Sequence, residues 1–202
     1  MKVYVLRHGE TEYNVQKRYQ GTLDIPLSLK GREELIKADI CPQKVYVSPL
    51  CRATETAEIL FPNSKIIIEN DLREMCFGAF QGKNYVDMEK DPDYLAWVGE
   101  DCTGRCPGGE TKAEFSERTC AVFERLIAEA FRNNEEMLVI LAHGGTQMAV
   151  MEKYAVPKKD YYSWCGANAG GYVLEVCGDE WKRYRTMKYI CDVQYIKNEV
   201  QK

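Results

Sequence analysis

The chain of 202 residues holds only two histidines, and both occupy the same kind of place. His8 directly follows the apolar run Val3-Tyr-Val-Leu-Arg7, and His143 directly follows Leu138-Val-Ile-Leu-Ala142; each precedes a glycine. Runs of this kind read as buried strands. In open α/β sheets ligands gather beyond the carboxyl ends of the strands, so two imidazoles at two such ends can face one pocket. Arg7 adjoins His8, and Arg52 follows Val45-Tyr-Val-Ser-Pro-Leu-Cys51, near a third strand end. A guanidinium holds its charge at any working pH and matches phosphate oxygens with a planar fork. Arginine and histidine together in an acidic protein therefore point to a small anionic ligand, best a phosphoryl group. Against this stands an ordinary structural role: imidazoles satisfied at strand ends, and Arg52 paired on its own helix with Glu55 or Glu58.

Phosphoryl transfer to a histidine needs a proton for the leaving oxygen. Glu74, in Asp71-Leu-Arg-Glu-Met75, can supply it if its pKa is raised, and Asp71 and Glu69 are alternatives that spacing does not rank. No phosphate-binding Gly-x-x-x-x-Gly-Lys-Ser/Thr loop and no carboxylate-rich magnesium signature occurs, so neither metal nor cofactor is expected.

The elements that must carry these residues alternate along the chain. Strands are predicted at Lys2–Leu6, Lys44–Val47, Lys65–Ile68 and Met137–Ala142, with helices at Leu29–Asp39, Cys51–Leu60 and Thr146–Tyr154. The clearest helix covers Lys112–Arg132, opened by Thr111 and Glu114 as a capping box, with Phe115, Thr119, Val122, Phe123, Leu126, Ile127 and Ala130 as its core face. Gly171–Cys177 and Glu180–Tyr189 read as two strands joined by a hairpin at Gly178-Asp179. The predicted fold is α/β: a three-layer sandwich with a mostly parallel central sheet, an antiparallel edge and a small helical cap. The polar, acidic stretch 81–110 fits the alternation least and is taken as the cap, inserted in one domain spanning 1–202.

Composition narrows the class. Apolar residues make up 45% and charged residues 29%, ordinary for one globular domain, and the net charge of −4 disfavours nucleic acid or anionic lipid as a partner. The apolar run near the N-terminus is four residues long, far short of a signal-peptide core or a membrane span, so a cytoplasmic location is expected. Nine cysteines, an odd number partly within apolar patterns, read as reduced thiols; neither a disulfide framework nor a zinc site has the needed spacing. The segment Cys191–Lys202 is open to a lid, a docking or a frayed role.

Arg7-His8-Gly9-Glu10-Thr11 resembles the signature of the histidine phosphatase superfamily, the phosphoglycerate-mutase-like proteins. Asn14, Arg18-Tyr-Gln-Gly21, Asp24-Ile-Pro-Leu27, Gly31, Ser48-Pro-Leu-Cys-Arg52-Ala-Thr-Glu-Thr-Ala57, Glu74, Phe77-Gly78, Gly82, Pro107-Gly-Gly-Glu110 and His143-Gly144-Gly145 continue the pattern in order. The resemblance implies that His8 is a nucleophile that becomes phosphohistidine. Arg7, Arg52 and His143, with Asn14, would hold the phosphoryl oxygens, Glu74 would be the proton donor, and Gly144 would offer a backbone N–H. Gln20, Gly21 and Thr22 would touch the leaving group.

Within the family, a mutase must bind a substrate carboxylate as well as phosphate, and its cap should add cations. From Asp87 to Asp101 the chain instead carries Asp87, Glu89, Asp91, Asp93, Glu100 and Asp101 against Lys90 alone. A metal-independent phosphatase acting on a small phosphomonoester is therefore expected, in a branch similar to α-ribazole phosphatase and broad-specificity phosphatases, with a homodimer allowed. The competing readings are phosphoglycerate mutase and a non-catalytic phosphate-binding protein on the same fold. Tyr85, Tyr94, Trp97, Phe77 and Phe80 either form a wall for a planar base or pack as cap core. Arg105, Lys83 and Lys112 are expected at the solvated surface.

Overall fold

The computed structural model describes residues 1–197; residues 198–202, the end of the segment left open above, lie outside it. Along the chain run β1 (Lys2–Arg7), α1 (Glu12–Val15), α2 (Leu29–Glu34), β2 (Lys44–Val47), α3 (Cys51–Leu60), β3 (Lys65–Ile68), α4 (Pro92–Gly99), α5 (Lys112–Arg132), β4 (Met137–Ala142), α6 (Gly144–Tyr154), β5 (Ala155–Val156), β6 (Gly170–Glu175), α7 (Gly178–Tyr184) and β7 (Met187–Gln194). The seven strands form one sheet in the order β3-β2-β4-β1-β6-β7-β5. The first four are mutually parallel, while β6 runs antiparallel to both β1 and β7. The mostly parallel α/β sheet, with its antiparallel pairings confined to one side of β1, is the expected architecture.

Alternation along the strands divides the core into two layers. Val3, Val5, Leu138, Ile140 and Ala142 pack on the side of α5 and α6, with Phe115, Phe123, Leu126, Val150 and Met151. Tyr4, Leu6, Val45, Val47, Val139 and Leu141 pack on the other, with Ala53, Ala57 and Leu60 of α3. The predicted bounds of α5 hold, with the Thr111–Glu114 capping box in place and all seven predicted core positions buried.

Two elements differ from expectation. The helix predicted over Leu29–Asp39 stops at Glu34, because the next residues are drawn into extended pairing with the chain's end: Leu35 bridges Ile196, and the Ile36 N–H donates to the Tyr195 carbonyl. The predicted strand Glu180–Tyr189 and its hairpin are incorrect. Gly178–Tyr184 is helix α7, whose acidic first turn (Asp179, Glu180) and basic last turn (Lys182, Arg183) complement the helix dipole, and which seats Trp181 against Phe123 and Tyr154. Arg185, at φ 54°, closes that helix, and β7 begins only at Met187 and runs on to Gln194.

Candidate active site

The carboxyl ends of β1, β4 and β2 lie side by side: the His8 N–H donates to the Ala142 carbonyl and the Ser48 N–H to the Leu141 carbonyl. His8 and His143 are thereby brought together, their ring centroids 5.3 Å apart. His8 is 3% exposed and His143 fully buried. His8 Nδ1 lies 2.7 Å from the Gly9 carbonyl, which can only accept, so Nδ1 carries the proton and Nε2 keeps its lone pair. Burial, then the charges of Arg52 and Arg7, push the His8 pKa well below the usual imidazole value. His143 is pushed down in the same way by burial, then by Arg52, His8, Arg7 and Arg118. Both rings are neutral at neutral pH.

His143 has a partner that sequence reading assigned no role. Its Nε2 lies 2.7 Å from Ser48 Oγ, which also accepts from the Leu50 N–H at 3.4 Å. The Ser48 hydroxyl keeps its proton and a second lone pair, so it meets either tautomer of His143, donating to a bare Nε2 or accepting from Nε2–H. Nδ1 is buried and has no partner among the described residues.

The guanidiniums are anchored from behind. Arg52, 0% exposed, donates from Nη1 to the Leu23 carbonyl and from Nη2 to the Gly21 carbonyl, each at 2.8 Å. The expected alternative, an ion pair with Glu55 or Glu58, does not form; Glu55 pairs with Arg32. Burial lowers the pKa of Arg52 from its usual value, opposed chiefly by the Glu74 charge. Arg7 donates from Nη1 to the Gly166 carbonyl at 2.7 Å, and the Nε–H groups of both arginines are buried without partners among the described residues. Buried polar groups are normally satisfied. The unpaired Nε–H groups of Arg7 and Arg52, with the unpartnered His143 Nδ1 beside them near adjacent strand ends, can receive an anion with several oxygens.

Among the three carboxylates left unranked, geometry separates Glu74. Glu69 pairs with Arg125 at 2.6 Å, and Asp71 is exposed. Glu74 accepts from the Met75 N–H at 3.0 Å and from the Gly145 N–H, at the start of α6, at 3.2 Å. A Cβ at Gly145 would stand 2.3 Å from Glu74 Oε1, so only glycine admits this approach. Gly144 lies beside the Arg7 side chain. The loop bearing Glu74 is clamped by Arg118, which donates to the carbonyls of Asp71, Arg73 and Glu74 and pairs with Glu110 through two nitrogens.

The remaining candidates sit around this centre. Asn14 completes a capping box with Thr11, and its Oδ1 accepts from Asn168 Nδ2, which also reaches the His8 and Gly9 carbonyls. Gln20 is buried with Oε1 3.0 Å from the Thr11 hydroxyl. Gly21, at φ +53°, presents its carbonyl to Arg52, and both polar groups of Thr22 donate to Gln81 Oε1. Asn168 and Gly166, in an irregular loop, carry no sequence period that would have revealed them.

Next to Glu74 opens a cavity of about 200 Å³ whose walls include Tyr19, Phe77, Trp97, Phe115, Met148 and Tyr161. Of the aromatic residues considered as a wall for a base, Phe77 and Trp97 line it, Phe80 and Tyr94 pack as core behind Trp97, and Tyr85 is exposed. Lys83 and Arg105 lie outside this wall, near Asp91 and Glu114. Lys112 is not a plain surface residue: it lines the cavity, its Nζ 4.4 Å from the Tyr161 ring centroid.

The family description "Histidine phosphatase superfamily (branch 1)" matches residues 3–187. The chain belongs to this superfamily. This histidine phosphatase is 32% identical over 157 residues to a glucosyl-3-phosphoglycerate phosphatase of Mycolicibacterium vanbaalenii, covering 71% of the chain and 69% of the relative. It is 30% identical over 164 residues to phosphoglycerate mutase-like protein 4 of Arabidopsis thaliana, covering 75% and 70%. Its fold is similar to the crystal structure of the α-ribazole phosphatase from Shigella flexneri, with a TM-score of 0.76 at 23% identity over 94% of the chain and 95% of the other. No helix among the described residues is long and apolar enough to cross a membrane. All nine cysteines are free.

Proposed function

We propose that this histidine phosphatase hydrolyses a small phosphomonoester through a transient P–N bond on His8. The observation that carries the reading is the tautomer of His8: Nδ1 donates to Gly9, and Nε2 keeps a lone pair on a ring held neutral beside two guanidiniums. In the first step Nε2 attacks phosphorus, the P–O bond breaks toward the alcohol oxygen, and that oxygen takes the proton of Glu74. In the second, Glu74 removes a proton from water, the water oxygen attacks phosphorus, and the P–N bond returns its electron pair to His8. The N–H groups of Arg7, Arg52 and His143 hold the phosphoryl oxygens throughout, so the protein supplies position and charge. Gly144, at the amino end of α6, adds a backbone N–H to the same oxygens, and Asn14 fixes the loop that follows His8. Gln20, Gly21 and Thr22 border the leaving-group side. Residues 81–110 form the cap over that side, and α-ribazole phosphate belongs among the esters to try.

The test is a rapid-quench experiment with ³²P-labelled ester. Label should appear in the protein as an acid-labile, base-stable adduct that maps to residue 8 and is absent from His8→Ala. Continued turnover with no such adduct would refute the reading.

A further inference from the structure

The cavity beside Glu74 has one feature that its aromatic walls do not explain. Lys112 is the first residue of α5, where a positive charge opposes the helix dipole. Among the described residues its ammonium has no carboxylate partner, and it rests over the rings of Tyr161 and Tyr162, at 4.4 and 5.8 Å. Apart from the Tyr161 hydroxyl, the polar tips of the lining rings are already occupied. Tyr19 Oη shares a hydrogen bond with Tyr94 Oη, Tyr162 Oη donates to the Asp101 carbonyl, and Trp97 Nε1 donates to the Gly104 carbonyl. Glu74 and Lys112 are the charged residues of the wall, and Glu74 is engaged by the reaction.

We propose that the leaving alcohol of the physiological substrate is a compact ring-bearing hydroxy acid, its ring seated between Trp97 and Phe115 and its carboxylate paired with Lys112. The assignment rests on the phosphatase reading above and adds the substrate class to it. A cavity of about 150 Å³ takes a benzene ring, and the volume here of about 200 Å³ accommodates a ring with a short substituent. A sugar or glycerol leaving group would bury hydroxyls against ring faces with few partners, which such a wall disfavours. A neutral ring would fill the cavity and leave the ammonium unmatched.

The test uses esters with similar alkoxide leaving groups, so that chemical reactivity does not decide the ranking: the phosphates of 3-phenyllactate, 2-phenylethanol and lactate, with α-ribazole phosphate beside them. The phenyllactate ester should show a kcat/KM about tenfold above that of the phenylethyl ester, the size expected for one charge-assisted contact. Lys112→Gln should bring that ratio to about one and Lys112→Arg should retain it, while the preference for phenyllactate over lactate persists in both. A ratio insensitive to Lys112→Gln, or a preference for the lactate ester or α-ribazole phosphate, would overturn the proposal. Calorimetric binding of phenyllactate, phenylethanol and lactate in saturating inorganic phosphate reads the cavity without turnover. Tighter binding of phenyllactate that is lost in Lys112→Gln would uphold the pocket even if no P–N adduct formed. Equal binding of the three would reject it whatever the fate of the adduct.

Discussion

The strand-end cradle and the cavity beside it touch at Glu74 yet are built on opposite principles. In the cradle, guanidiniums and neutral imidazoles are packed together, and main chain holds three of them from behind: Arg52 by two carbonyls, Arg7 by one, His8 by its own neighbour. The cavity is walled by rings contributed from loops and helices distant in sequence, and the polar tips of Tyr19, Trp97 and Tyr162 are bonded to the protein. Charge that must act on a transition state is fixed in advance, where reorganisation costs little at the moment of reaction. A surface that only selects a leaving group is assembled from packing, which tolerates substitution of shape.

That contrast is tested most severely at its two poles. His8→Ala should reduce turnover of 4-nitrophenyl phosphate by a factor on the order of 10⁴ or more. Its thermal unfolding midpoint should stay near that of the parent; a collapse of stability would mean the ring is structural. Trp97→Ala should do the reverse in kind, costing about 3 kcal/mol of folding free energy because a 5%-exposed indole packed on Tyr19, Phe80 and Tyr94 leaves a void. Urea unfolding checks it, and a stability loss below about 1 kcal/mol would show the cap packs independently of this ring.

Much of the cradle is legible in the sequence, because it depends on short strand-plus-loop words whose positions the sheet dictates. His8, Arg7, Arg52 and His143 fall where the apolar runs end. The bounds of α5 were legible for a different reason: a capping box and a regular stripe are local facts. The cavity was not. Lys112 reads as solvent-exposed from its type, and only the arrival of Tyr161 and Tyr162 from the far end of the chain makes it a wall. Helix α7 was misread because one buried tryptophan among charged residues has no period long enough to separate a short helix from a strand. Ser48 stood inside a recognised word, but its hydrogen bond to His143 spans 95 positions that sequence cannot bridge.

Smaller effects sharpen the comparison. Glu74→Gln should lower turnover of alkyl esters about 100-fold and of 4-nitrophenyl phosphate far less, since a good leaving group needs no proton. Equal losses on the two would remove Glu74 from that role. Ser48→Ala should cost about tenfold in kcat, the equivalent of ~1.4 kcal/mol, with KM for the ester little changed. The ¹⁵N shifts of His143 should then report a mixture of tautomers in place of the single one that the Ser48 contact fixes.

The buried rings also make a statement about acid. With both imidazoles depressed in the folded state and ordinary in the unfolded chain, the unfolded state binds more protons below about pH 6.5. Folding stability should therefore decline as pH falls from 6.5 toward the lowered folded values, and neither ring should protonate in NMR titration above pH 6. A ring titrating near 6.5 would contradict the buried, cation-flanked setting.

One residue ties the two regions into a single moving part. Arg118 belongs to the helix that begins with Lys112 and Phe115, and its guanidinium grips the main chain at residues 71, 73 and 74. Any shift of that helix that reshapes the aromatic wall must drag the Glu74 carboxylate with it. A graft that transplants the wall into a sister enzyme while leaving behind the loop it holds would thus be expected to inherit taste without turnover.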